Sequence, residues 1–194
     1  MSDVSVKKTV GYAMCGSFCT HSASLCELEG LVARGYDVVP VMSENVFSTD
    51  TRFGRSSELI AKVEKICGRE VIHTIVDAEP LGPVYTLDAM IICPCTGNTL
   101  AKLAAGITDT AVCMAAKAHL RGDRPLIISL ASNDAMSANM KNIATLLNRK
   151  HVYFVPMKQD DPEKKPHSLV ADFSLLYPTL CSAFEGKQYR RVFI

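Results

Sequence analysis

Two short stretches of this chain gather polar groups of the kind that bind an anion or the edge of a cofactor. The first is Cys15-Gly16-Ser17-Phe18-Cys19-Thr20. A glycine at such a turn lets the backbone approach an anion, Ser17 adds a hydroxyl, and a following helix contributes free N–H groups and the positive end of its dipole. The second is Pro94-Cys95-Thr96-Gly97-Asn98-Thr99. Thr96, Asn98 and Thr99 are poor core residues, but with Gly97 they suit a phosphate, the hydroxyls of a ribityl chain or the edge of a flavin ring. Behind them Leu100, Leu103, Ala104 and Ile107 form an apolar helix face that Gly106 ends. Each stretch has a plainer reading as a capped helix start. Ser43 follows a valine-rich segment and is placed to close the same crevice, with Asn45 just beyond it.

Other reactive residues favour structural readings. The eight cysteines lie mostly in apolar segments, as buried free thiols do. Cys93 and Cys95 are two apart but lack the second pair that a zinc site needs, so no metal site is expected. Asp160-Asp161 with Glu163 lacks the alternating acids and closing glutamate of a calcium loop. Met136 and Met140, four apart, read as core.

The elements that must hold these turns alternate along the chain. Strands are expected over Lys8–Cys15, Tyr36–Met42, Leu87–Cys93, Pro125–Leu130 and Val152–Val155, with a weak one near Val71. Ser17 caps a helix to about Arg34 that Gly35 closes, and further helices cover Ser56–Cys67, Gly97–Ala105, Thr110–Leu120 and Ala138–Arg149. Ser43–Gly54 and Lys158–His167 read as loops, and Ser168–Glu185 as a closing helix interrupted by Pro178. Continuous apolar strands separated by helices predict an α/β fold, a three-layer Rossmann-like arrangement with a central parallel sheet. Ligands of such sheets bind beyond the carboxyl ends of the strands, here the turns after residues 15, 42, 93 and 130. The turns after 15, 42 and 93 are expected to converge.

The 194 residues suit a single domain over 1–194, with 48% hydrophobic residues to fill a core. A formal charge of +1, from 21 basic and 20 acidic residues, points away from nucleic acid. No apolar run reaches the roughly 18 residues of a membrane span. The polar Met1–Lys8 has no signal-peptide core, which predicts a cytoplasmic protein.

The stretch from Pro94 to Asp109, with the Gly-Ser turn after the first strand, resembles the signature of the flavoprotein superfamily, which includes FMN-dependent cysteine decarboxylases and flavin prenyltransferases. Four further segments resemble one branch, the B subunits of dipicolinate synthases: Ser48–Gly54, Ala78–Pro83, Ser132–Ala135 and Gln159–Asp172. The resemblance runs from about residue 8 to residue 185. It implies a flavoprotein fold, with FMN at Gly16, Ser17, Ser43, Thr96, Gly97, Asn98 and Thr99 and with assembly as a homo-oligomer. It also implies an oxidoreductase subunit that forms pyridine-2,6-dicarboxylate from a cyclic dicarboxylate of the diaminopimelate and lysine route during sporulation. The setting would be the mother-cell cytoplasm, and NADP would be carried by a nicotinamide-binding partner, the dipicolinate synthase A subunit. Alternatives are an FMN-dependent decarboxylase or prenyltransferase, or a noncatalytic scaffold for the dehydrogenase.

A dianionic substrate calls for cations. Arg52 is the first candidate and Lys102 the second, followed by Lys117. The decarboxylases of the superfamily carry a histidine upstream of the Asn-Thr loop. His73 is nearest, but Ala78–Pro83 spoils its spacing and favours a solvated strand-edge residue, and His21 is the weaker candidate. No residue is assigned a proton-transfer role.

Overall fold

The computed structural model describes residues 7–194. The strands are β1 (Thr9–Met14), β2 (Asp37–Met42), β3 (Ala89–Cys95), β4 (Leu126–Ser132), β5 (Val152–Phe154), β6 (Met157–Gln159) and β7 (Leu169–Ala171). The helices are α1 (His21–Ala33), α2 (Glu44–Ser48), α3 (Ser56–Cys67), α4 (Ile75–Ala78), α5 (Gly97–Ala105), α6 (Ala111–Leu120), α7 (Met140–Leu147) and α8 (Leu176–Phe184).

The sheet order is β2-β1-β3-β4-β7-β6, with β5 also paired to β4. β1 to β5 are parallel. β3 and β4 are buried along their whole length, as a sheet covered on both faces requires. The period of two sorts their side chains. Val10, Tyr12, Met14, Ile91 and Cys93 meet α1, α3 and α8, whereas Ala13, Met90, Ile92 and Ile128 meet α5, α6 and α7.

The expected parallel sheet is therefore extended into a mixed one. β5 pairs with Leu126–Ile128 of β4, and β7 takes over the same edge antiparallel at Ala131 and Ser132. The single helix expected over Ser168–Glu185 is replaced by β7, an Asp172-capped 3₁₀ turn and α8. Leu169 and Ala171 are buried while Val170 is less so, a strand alternation too short to stand out in the sequence. Pro178 is the third residue of α8, where a missing N–H costs no helical bond, so it does not interrupt the helix. Ser43–Gly54 contains α2, and Ile72 makes one bridge to Val41 in place of a strand near Val71. β6 claims the start of the predicted loop at Lys158.

Ser17 does not cap α1. A 3₁₀ turn, Phe18–Thr20, intervenes, and the Ser17 side chain makes no capping bond. The helix is anchored one turn further in. The Tyr12 hydroxyl lies 2.8 Å from the Ser24 carbonyl and 2.9 Å from Ser24 Oγ, and Ser24 Oγ donates to the Cys93 carbonyl at 2.6 Å. This buried chain joins α1 to β1 and β3 at once. On the opposite face, Gly82 (φ +128°) lies so close to α6 that a Cβ would meet the Ala118 carbonyl oxygen at 2.4 Å, which requires glycine.

Two expectations follow. Ser24→Ala leaves the Cys93 carbonyl unpaired in the core and should cost about 1–3 kcal/mol, or roughly 2–4 °C of melting temperature per kcal/mol in a chain of this size. Tyr12→Phe keeps the Ser24–Cys93 bond and should cost less, which paired urea titrations would check. The second concerns His21 and His119, both buried and both held by burial below the ordinary imidazole value of 6.5. The unfolded chain then binds more protons than the folded one below that pH. Stability is fully present above about 6.5 and falls as acid approaches the depressed folded values, by at most about 1.4 kcal/mol per pH unit for each histidine. Urea midpoints between pH 7.5 and 5.5 should show this slope, and His119→Gln should flatten it.

Candidate functional site

The chain order reverses at β1, which lies between β2 and β3, so the crevice of this sheet opens above the ends of these strands. Three turns meet there through the backbone. Ser43 N–H donates to the Met14 carbonyl at 3.0 Å, and Cys15 N–H donates to the Pro94 carbonyl at 3.1 Å. Thr99 Oγ1 donates to Cys15 Sγ at 3.3 Å. The turn after β4 joins them at Gly97, where a Cβ would lie 2.4 Å from Ser132 Oγ, 2.6 Å from Asn139 Nδ2 and 2.8 Å from Asp134 Oδ1.

These contacts separate the polar residues of the crest into two groups. Thr96, Gly97 and Thr99 are used by the fold. Thr96 Oγ1 accepts from Thr99 N–H at 3.3 Å and donates to Thr99 Oγ1 at 3.2 Å, capping α5, and Thr99 is buried. The reading of Thr99 as too polar for an interior is thus corrected, because its hydroxyl is satisfied on both sides. Gly97 is required by the close approach of Asp134. That carboxylate accepts from Ser132 Oγ at 2.5 Å and from Asn139 Nδ2 at 2.9 Å, and the two bonds hold it below the ordinary carboxylate value. An internal anion thereby lies against the first turn of α5, where anions are favoured.

Ser17, Ser43 and Asn98 form the second group. Among the described residues, the hydroxyls of Ser17 and Ser43 and the amide of Asn98 have no hydrogen-bond partner. Ser17 and Ser43 are half-buried and Asn98 is exposed. Around Gly16 only the Phe18 ring comes near, 3.5 Å from where a Cβ would stand. These residues are available to a ligand.

Beside the crest lies a cleft of about 290 Å³. One wall is Phe18, His21 and Leu25, and the other is the segment from Thr49 to Ser56 with Leu59 and Lys62 of α3. That segment is a tight hairpin, closed by Thr51 N–H to the Gly54 carbonyl at 3.0 Å and the reverse bond at 3.2 Å. The Asp50 carboxylate accepts from Ser56 N–H at 2.9 Å and Ser56 Oγ at 3.1 Å, which lowers its pKa. His21 Nε2 is 2.8 Å from the Cys15 carbonyl. A carbonyl only accepts, so Nε2 carries the proton and Nδ1 keeps its lone pair.

The cations expected to meet a substrate are placed differently from one another. Arg52 lies over the Phe53 ring at 4.9 Å, and Lys102 is paired with Asp109 at 2.8 Å. Arg55, not singled out in the sequence, lines the cleft. Lys117 and Asn45 are exposed. His73 stacks on Phe47 with ring centroids 3.6 Å apart and is not a freely solvated edge residue. His21 was legible in part, since it shares the helical spacing of Leu25 and Leu28.

All eight cysteines are free, and burial pushes Cys93 up to about 11. Among the described residues no cluster suited to a metal ion occurs. Met136 and Met140 are 40% and 38% exposed, against the expectation of core. Asp160 pairs with Lys165. No helix among the described residues is long and apolar enough to cross a membrane.

Comparison with known proteins places this arrangement. The family model described as Flavoprotein matches residues 2–172. The dipicolinate synthase B subunit of Bacillus subtilis is 44% identical over 187 residues, 96% of this chain and 94% of the relative. The crystal structure of the dipicolinate synthase B subunit from Bacillus halodurans C superposes with a TM-score of 0.89 at 43% identity, covering 96% of both chains. AnUbiX (PadA1), solved in complex with FMN and dimethylallyl pyrophosphate, shares the fold at a TM-score of 0.65 and 18% identity, over 78% of each chain. The chain belongs to the Flavoprotein family and, within it, to the branch formed by the B subunits of dipicolinate synthases.

Proposed function

We propose that this chain is the flavoprotein-type subunit of a dipicolinate synthase. It works with a nicotinamide-binding partner, the A subunit, to form pyridine-2,6-dicarboxylate from a cyclic dicarboxylate of the diaminopimelate and lysine route during sporulation. The 44% identity over almost the whole chain supports the reaction. The observation that carries the site is the crest itself, on which three strand-end turns are bonded together while Ser17, Ser43 and Asn98 stay unspent.

The same residues fit FMN, the group named with one relative of this fold. Ser17 and Ser43, with hydroxyls, and Asn98, with an amide, would hold FMN there, since their donors and acceptors suit its phosphate, ribityl and ring polar groups. Gly16 leaves room for close approach of the backbone. Bound there, FMN supplies a ring that can accept electrons. Thr96, Gly97 and Thr99 hold the loop in shape, and the Thr99 N–H is already taken by Thr96 Oγ1. The nicotinamide acceptor belongs to the partner, and copies of this chain associate with one another in the cytoplasm of the mother cell.

Reconstitution tests the reaction. This chain, its nicotinamide-binding partner, substrate and NADP should together produce the ultraviolet absorbance of the pyridine product. Full rate from the partner without this chain would remove any catalytic role and leave a scaffold. A separate measurement tests the crest. Titration of the purified chain with FMN should give a visible flavin spectrum shifted from that of the free cofactor. Asn98→Ala or Ser17→Ala should weaken binding about 3- to 10-fold, the worth of one hydrogen bond. Unchanged affinity in both variants would place the flavin elsewhere.

A further inference from the structure

We propose that the cleft between the first turn of α1 and the Thr49–Ser56 hairpin is the seat of the cyclic dicarboxylate, with Arg55 and Lys62 as its carboxylate partners. This inference rests on the reading of the chain as part of a dipicolinate synthase.

Size comes first. Sites that bury a drug-sized ligand run from about 300 to 1,000 Å³, and this cleft of about 290 Å³ lies just below that range. It suits a single ring with small substituents better than a dinucleotide. Its apolar walls, Phe18, Leu25 and Leu59, suit a flat ring. Phe53 also lines the cleft, although it is 55% exposed. Arg52 lies over that ring at 4.9 Å and so steadies it, which makes Arg52 a positioning residue rather than a carboxylate ligand.

Charge comes second. Arg55 lines the cleft and makes no salt bridge among the described residues, although the Asp50 carboxylate acts on it electrostatically. Lys62 meets Glu29 at 3.6 Å with both side chains about half exposed, a weak pair that a ligand carboxylate can displace. Asp50, the acid nearest the hairpin's end, is already engaged by Ser56. Glu58 remains the one carboxylate on the lining. A planar guanidinium and an ammonium on one small cleft match two carboxylates on one small ring.

Hydrogen bonding comes third. The carbonyl of Cys15 fixes the proton of His21 on Nε2, so Nδ1 is left as an acceptor on a ring that lines the cleft. An acceptor there complements an N–H or O–H on the substrate ring; the aromatic product offers neither, so it should bind through its carboxylates and more weakly than the substrate.

The test uses the complex of this chain with its nicotinamide-binding partner for kinetics, and pyridine-2,6-dicarboxylate as the calorimetric probe on the chain alone. Arg55 is exposed and precedes α3 without a side-chain capping bond, so Arg55→Ala should fold, which circular dichroism would check. Arg55→Ala should raise both KM and the probe's Kd about tenfold, as expected for a lost charge-assisted bond. The kcat and the FMN affinity should stay close to wild type. Arg55→Lys should fall between, and Lys62→Ala should show the smaller effect.

An unchanged KM and Kd in Arg55→Ala overturns the inference, as does a loss confined to FMN. If the wild-type complex makes product while Arg55→Ala keeps its KM, the cleft assignment fails and the synthase reading stands. If the wild-type complex makes none, the synthase reading fails, and the probe's Kd still decides whether the cleft takes a dicarboxylate.

Discussion

The buried chain from Tyr12 through Ser24 to the Cys93 carbonyl is the constraint on which the arrangement above the sheet depends. A helix packed only by apolar side chains can slide or rotate on a sheet with little change in buried area. Hydrogen bonds in a dry interior do not permit that, because a displaced donor or acceptor finds no water to replace its partner. Ser24 ties α1 to the neighbouring strands β1 and β3 near their carboxyl ends. One turn earlier on the same helix stands His21, whose ring reaches back to the Cys15 carbonyl. The position of the 15–20 turn relative to the 94–99 turn is therefore set by two polar links as well as by the packing of Leu25, Leu28 and Leu31.

Given that frame, the residues of the crest divide by whether the fold needs them. Thr96 caps α5, Thr99 fills a buried position with both its hydroxyl roles occupied, and Gly97 admits the Asp134 carboxylate. Their loss would be felt as stability before it was felt as binding. Ser17, Ser43 and Asn98 are spent on nothing within the described residues. Half-exposed hydroxyls are ordinarily satisfied by water, so these residues are free to exchange that water for a ligand, whereas the more densely polar loop beside them is not.

The sequence made β1 to β4 and the longer helices α1, α3, α5 and α6 legible, but not the short α2 and α4, because buried parallel strands are continuous apolar runs and the longer helices carry clear periodicity. It did not make β6 and β7 legible. Three-residue strands offer one alternation at most, and Val170 among Leu169 and Ala171 is as consistent with a helix face. The crest residues were found by type, since hydroxyls and amides at strand ends stand out. Their division into used and unused was not, because it depends on Cys15, Asp134 and Asn139, far away in the chain. Arg52 and Arg55 are not told apart by the sequence for a related reason. Both lie in one polar hairpin, and only the Thr51–Gly54 closure decides which of them lines the cleft.

The same geometry bears on where a nicotinamide would be held. A dinucleotide fold presents its pyrophosphate to a helix that starts directly after a glycine-rich strand turn. Here α1 begins only after the Phe18–Thr20 turn, and its first residue turns an imidazole toward the strand end. The first turn of α5 already faces the Asp134 carboxylate, which would repel a second anion. The first turn of α5 is thus taken by Asp134, and α1 meets the end of β1 through an imidazole rather than a bare glycine turn. What remains open is a set of neutral hydroxyl and amide groups and a small cleft carrying Arg55.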